Sequence, residues 1–183
     1  MADYNKVVLV DEQDRELGVM DKLEAHSNGG VRHRAITVVL YRQRDGAVEV
    51  LLQKRGEKKP LWPLFWDATC STHPVLGEGY EECGVRRLKE ELGVLIKSGD
   101  LKLVDKQVYR ADYKGGLAEC EVNGVLVAKF EGEFKVNRDE VADAAWKSWE
   151  EVKKEVVGNR DKFVPWFWMM VGEGLLEKAL RLK

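Results

Sequence analysis

The sequence predicts a single α/β domain, one mixed sheet with helices covering it, and three observations carry that prediction. β-Branched runs such as "AITVVLYRQ" (Ala35–Gln43) and "VEVLLQKR" (Val48–Arg55) have the composition of strands. Between the strands, "GYEECGVRRLKEELG" places Val85, Leu88 and Leu92 at helical spacing. The 183 residues carry no internal repeat, low-complexity tract or long linker, so residues 1–183 are expected to share one core.

In chain order, "KVVLVD" and "ELGVMDK" read as short strands around the polar turn "EQDR", and "LEAHSNGGVRHR" as a Gly-containing loop. The two β-branched runs are joined by "RDGA", a hairpin signal. "GEKKPLWPLFW" is basic, aromatic and broken by two prolines, which makes it a loop. In the helix that follows, acids crowd the first turn and Gly93 can terminate it. "KLVDKQVYRADY" and "AECEVNGVLVAKFEG" alternate as strands. "DEVADAAWKSWEEVKKEV" is amphipathic and expected to be helical throughout. "VPWFWMMVGEGLLEKALRLK" reads as a final helix, with Pro165 near its start and Gly172 and Gly174 weakening its middle.

Thirty Lys+Arg against 32 Asp+Glu leave a formal charge of -2, so no bulk basic field points to nucleic acid and any anion site must be a local cluster. No apolar run reaches the roughly 18 residues of a membrane span, and "MADYNKVVLVDEQDRELG" is too evenly charged for a secretory signal. Cys70, Cys83 and Cys120 are odd in number and lack CxxC spacing, which argues against disulfides or a Cys-rich zinc site and for a reducing cytosol. A cytoplasmic monomer with no membrane or nucleic-acid partner is expected.

The chain has three histidines, His26, His33 and His73. In "AECEV", Glu119 and Glu121 lie two apart, hence on one face of a strand. Three imidazoles and two carboxylates suit a five- or six-coordinate divalent metal. No local spacing links the five, and scattered surface histidines beside an ordinary acidic strand are the alternative. On the helix, Arg87 and Glu91 are neighbours, as are Arg86 and Glu90; they make either plain surface ion pairs or a carboxylate for Mg²⁺ beside an arginine for phosphate. The loop "KRGEKKP" gathers Lys54, Arg55, Lys58 and Lys59, a set that suits a diphosphate. Trp62, Phe65 and Trp66 beside it either wall a water-poor pocket or plug the rim of the core.

"LGEGYEECGVRRLKEELGV" resembles a Nudix box, with Glu78, Arg86, Leu88, Glu90, Glu91, Gly93 and Val94 in place. It departs at Thr72, where a glycine is usual, and at Arg87, where the hydrolases carry a metal-binding glutamate. That second departure resembles the type 1 isopentenyl-diphosphate isomerases of the Nudix superfamily. "EAHSNGGVRHRA", "WPLFWDATCSTHPVLGE", "YRADYKGGLAECEV" and "FVPWFWMMV" are similar to that family's segments in order and spacing, over roughly residues 20–170.

The resemblance implies a Nudix-like mixed sheet sandwiched between helices. It implies a divalent metal (Mn²⁺, Mg²⁺ or Zn²⁺) on His26, His33, His73, Glu119 and Glu121, and a Mg²⁺ near Glu91 shared with a small diphosphate substrate. Lys22, Arg55, Lys59 and Arg87 would hold the diphosphate, and Trp166 would lie against the isoprenoid tail. The implied reaction converts isopentenyl to dimethylallyl diphosphate by protonating one carbon and deprotonating another. Glu121, bonded through Tyr109, would serve the acid side. The family's base-side cysteine is here Ser71, and Asp67-Ala68 replaces a Thr-Asn pair in the same loop. Cys70, one position early, would point to the opposite face as a small buried hydrophobe. The alternatives are a Nudix hydrolase of a prenyl or nucleoside diphosphate, and an impaired diphosphate-binding paralogue.

Overall fold

A computed structural model describes residues 3–180. Its strands are β1 (Lys6–Val10), β2 (Glu16–Asp21), β3 (His33–Arg44), β4 (Ala47–Arg55), β5 (Trp66–Asp67), β6 (Cys70–Thr72), β7 (Lys102–Asp112), β8 (Ala118–Lys129) and β9 (Val141–Ser148). Its α-helices are α1 (Lys22–His26), α2 (Tyr80–Leu92), α3 (Trp149–Gly158), α4 (Pro165–Gly172) and α5 (Glu177–Leu180).

β3 organises the sheet. It pairs antiparallel with β1, β4 and β6, and parallel with β8, while β9 extends the sheet beyond β4 and β7 beyond β8. Side chains alternate along β3 because the pleat sends successive residues to opposite faces. Ile36, Val38 and Leu40 meet Cys83, Leu88 and Leu92 of α2. Val39 and Tyr41 meet Trp149, Val152 and the α4 residues Trp166, Phe167 and Met170. The result is a mixed sheet between helical layers, as the family resemblance implies. α2 lies close because Gly84 has no side chain: a Cβ there would sit 2.8 Å from Leu101 Cδ1.

Three expectations change. The stretch "LEAHSNGGVRHR", read as a loop, begins inside α1, whose N-cap Asp21 accepts from Leu23 N at 2.9 Å and Glu24 N at 3.2 Å. The stretch expected to be helical from Asp139 to Val156 is helical only from Trp149; Val141–Ser148 is β9. β4 offers a free backbone edge from Glu49 to Arg55, and the ladder made there, with Val141 fully buried, outweighs the modest helical preference of "VADAAWKS". The final helix breaks after Gly172, where Gly174 takes a left-handed φ of +68°, and resumes as α5; residues 181–183 of that stretch lie outside the described residues.

Candidate active site

The parallel register of β3 and β8 sets His33 beside Glu121. Glu119 shares that face two residues earlier, and β7 sets Tyr109 opposite Glu121. α1 contributes His26, and His73 follows β6 directly. Through these elements, one donor atom from each of His26, His33, His73, Glu119 and Glu121 comes within 4.8 Å of all the others.

The spacings suit a metal. His26 Nε2 lies 2.9 Å from Glu119 Oε2, while His73 Nε2 and His33 Nε2 lie 3.0 and 3.5 Å from Glu121 Oε1. Ligand bonds of roughly 2.1 Å place adjacent donor atoms about 3 Å apart. His26 Nδ1 donates to Lys22 O at 2.6 Å and His33 Nδ1 to Val31 O at 2.7 Å, so both rings present the Nε2 lone pair inward when neutral. His33 Nε2 and Glu119 Oε2 are buried without a hydrogen bond. Glu119 is near enough to His26 for charge attraction but misaligned for a bond. Orphaned donors converging on one point are what a cation would satisfy.

The site's electrostatics are divided without a metal. Burial opposes a charge on His26, but Glu119 raises it to about 9. His73 is held well below the ordinary imidazole value by burial and by Lys22, His33 and His26. Burial pushes Glu121 up, yet His33 and the Tyr109 hydroxyl, which donates to Glu121 Oε2, bring it below the usual range.

A cavity of about 620 Å³ opens over this cluster, within the range of small-ligand sites. Its wall includes Lys22, His26, Arg55, Lys59, Ser71, His73, Arg87, Glu119 and Glu140. Lys22 is lowered from its usual value by burial and by Arg87 and Lys59, so four expected diphosphate residues make one cationic wall. Arg55 is the most committed: it gives one N–H to Asp67 Oδ2 at 3.2 Å and two more to Trp62 O and Leu61 O. That leaves two of its roughly five N–H groups for a ligand. The same bonds hold a strained loop, in which Trp62 and Leu64 take φ of +43° and +64°.

His33, Glu91, Tyr109, Glu121 and Trp166 lie behind the cavity wall, each less than a tenth exposed. Glu91 is paired with Arg87 and accepts from Gln53 Nε2 at 3.1 Å, with Lys59 at 4.0 Å. Trp166 carries the Arg55 guanidinium 5.2 Å from its ring centroid, so a cation already sits against its π-system. Its Nε1–H points at Ser71 Oγ and Asp67 Oδ1, at 3.1 and 3.0 Å.

β6 separates the two reactive side chains of "TCST". Cys70 pairs with Val38 and faces α2, fully buried beside Cys83 and Leu88, and its thiol is pushed well up by burial and by Glu91. Ser71 pairs with Thr37 on the opposite face and reaches the cavity. Sequence reasoning passed over two participants. Glu140 bridges Arg87 (2.6 Å) and Lys59 (2.8 Å), and Gln53 steadies Glu91. Neither belongs to a motif, so no local signal marks them. α1 did leave one, the capping pattern Asp21-x-x-Glu24.

The NUDIX domain model matches residues 31–167. An isopentenyl-diphosphate Delta-isomerase of Aliivibrio fischeri (strain MJ11) is 40% identical over 169 residues, covering 91% of this chain and 92% of that protein. One from Haloarcula marismortui is 35% identical over 165 residues, covering 88% and 87%. Among solved structures, DR0079 from Deinococcus radiodurans superposes with a TM-score of 0.72 at 18% identity over 92% of this chain and 98% of that one. The NUDIX domain of Shewanella oneidensis NrtR does so at 0.60 and 15%, over 80% and 86%. Those two likenesses speak for the fold alone. No helix among the described residues is long and apolar enough to cross a membrane. With the family model spanning most of the chain and curated relatives aligned nearly end to end, this chain belongs to the isopentenyl-diphosphate Delta-isomerases of the Nudix superfamily.

Proposed function

We propose that this protein isomerises isopentenyl diphosphate to dimethylallyl diphosphate. The observation that carries the reading is that one cavity joins a five-donor His/Glu cluster to a wall of Lys22, Arg55, Lys59 and Arg87. The cations bind and orient the diphosphate by charge-assisted hydrogen bonds. The hydrocarbon tail then points toward the His/Glu cluster on one side and Ser71 on the other. Glu121 and the Tyr109 hydroxyl that donates to it stand on the side from which the terminal carbon is protonated, and Ser71 stands where the proton leaves the neighbouring methylene. Trp166 lies behind Ser71, its Nε1–H on the serine oxygen and Arg55 over its ring, and so acts on the site through Ser71 rather than by touching the tail.

A divalent ion on His26, His33, His73, Glu119 and Glu121 would supply Lewis-acid polarisation of the Glu121 carboxyl group. Mg²⁺, Mn²⁺ and Zn²⁺ all suit this donor set. Glu91 would hold a Mg²⁺ beside the substrate, in competition with the Arg87 guanidinium already on its carboxylate. Arg87 itself also pairs with Glu90 at 2.7 Å, which removes negative charge from the Nudix box and disfavours the hydrolase reading.

The test is conversion of labelled isopentenyl diphosphate by purified protein supplied with Mg²⁺ and, separately, with Mn²⁺ or Zn²⁺. Appearance of labelled dimethylallyl diphosphate without released phosphate is expected. Phosphate release without isomerisation would refute the reading.

A further inference from the structure

Asp67 is fully buried, yet it carries a carboxylate into the layer beneath the reaction cavity. Oδ1 accepts from Ser71 Oγ at 2.9 Å, from Trp166 Nε1 at 3.0 Å and from Ala68 N at 2.7 Å, while Oδ2 accepts from Arg55 at 3.2 Å. A buried carboxylate is costly unless paired, and in the segments the family resemblance rests on, a threonine occupies this position. The same loop lacks the family's thiol. The two departures are joined here by one hydrogen bond, Ser71 Oγ to Asp67 Oδ1.

We propose that Ser71 and Asp67 together replace the missing thiol, Ser71 taking the substrate proton as it passes its own to Asp67. This rests on the isomerase reading above. As the carbon–hydrogen bond breaks, its electron pair forms the new double bond and the proton goes to Ser71 Oγ. The serine O–H proton moves simultaneously to Asp67 Oδ1, so the carboxylate becomes a carboxylic acid and no free alkoxide forms. The proton returns to water when product leaves.

The surroundings support such a transfer. Trp166 Nε1–H is shared between Asp67 Oδ1 and Ser71 Oγ and holds the two oxygens in register for the transfer. Thr37 Oγ1 lies 3.3 Å from Ser71 Oγ and accepts from Asn123 Nδ2 at 3.0 Å, a fixed polar neighbour beside the serine that leaves one Ser71 lone pair open to the substrate. The groups facing Asp67 are Arg55 from β4, Ser71 from β6, Trp166 from α4 and the Tyr109 hydroxyl from β7. Burial pushes the Asp67 carboxyl above the ordinary range, while Arg55 and the hydrogen bonds keep part of its negative charge favourable. A carboxylate so placed is a better proton acceptor than one in water. Asp67 acts through Ser71 and is in this sense a positioning and relay residue.

The experiment compares the isomerisation kinetics of metal-loaded wild type, Asp67→Asn, Ser71→Ala and the double variant Asp67→Asn/Ser71→Cys across pH. Asp67→Asn is expected to lower kcat at least about 100-fold with KM within a few-fold, and to remove the acid limb of the kcat profile. Ser71→Ala, which leaves the Asp67–Arg55 pair intact, should lose a similar factor; it decides the matter if Asp67→Asn does not fold. The double variant should recover at least tenfold over Asp67→Asn, because a thiol carries its proton without the carboxylate. The proposal is overturned if wild type isomerises and Asp67→Asn keeps its kcat or its acid limb, if Ser71→Ala is as active as wild type, or if the thiol brings no recovery. A wild type that converts no substrate would refute the isomerase reading itself, a result distinct from any of these.

Discussion

Glu140 places its carboxylate on Lys59 and Arg87, two of the cations proposed to hold the diphosphate, and its replacement by glutamine should move stability and substrate binding in opposite directions. Burial pushes this carboxyl up, but the Arg87 and Lys59 hydrogen bonds dominate and lower it from 4.5 to about 2. Retained in full, such a shift is worth about 3 kcal/mol at neutral pH. With 30% of the side chain in water, solvent and salt reduce this to roughly 1–2 kcal/mol. For a chain of this size that is a loss of about 2–8 °C in Tm for Glu140→Gln at pH 7. The sign follows from the direction of the shift. A carboxyl depressed in the folded state stabilises above its unfolded value near 4.5, and that contribution is lost as pH falls toward 2. Urea unfolding of wild type should therefore weaken more steeply than that of the variant over this window. Meanwhile Lys59 and Arg87 lose a competitor, and KM for the diphosphate should fall about threefold to tenfold, close to 1 kcal/mol. Equal stability with an unchanged pH slope, or a raised KM, would refute the idea that Glu140 holds the anion site in the substrate-free state.

Three further outcomes are expected. Tyr109→Phe removes the hydroxyl that donates to Glu121; a charge-assisted bond of about 1.5–3 kcal/mol should appear as a 10- to 150-fold fall in kcat in the same isomerisation assay. Adding a divalent metal to chelator-stripped protein should raise Tm, with about 2.7 kcal/mol gained at a hundredfold excess over Kd, and His33→Gln should abolish most of that rise in a calorimetric titration. Cys70→Ser buries a hydroxyl in the apolar layer under α2 and should cost about 1–3 kcal/mol by denaturant unfolding while kcat stays near the wild-type value.

Motifs that depend on neighbours in the chain were legible in advance. The Nudix-box helix ends at Gly93, which adopts the left-handed cap its position demands, with φ of +62°. The β-branched run of β3 is visible in its residues and reappears as a strand buried on both faces; β8, which reads as alternating, is also buried on both. Cys70 and Ser71 point oppositely, as adjacent residues of an extended segment must. β9 was not legible: its residues have no strong preference, and the edge of β4 that captures them is remote in sequence.

The sequence by itself determined the elements whose signals are local, and supplied every donor of the His/Glu cluster in family order. Only the tertiary structure decided that these donors meet, because the parallel pairing of β3 with β8 sets His33 against Glu121 across nearly half the chain. It also decided what the unusual loop means. An aspartate and a serine four residues apart look like two separate departures in the sequence. Folding removes Asp67 from water, and a buried carboxylate must find donors; the ones it finds are Arg55, Trp166 and Ser71.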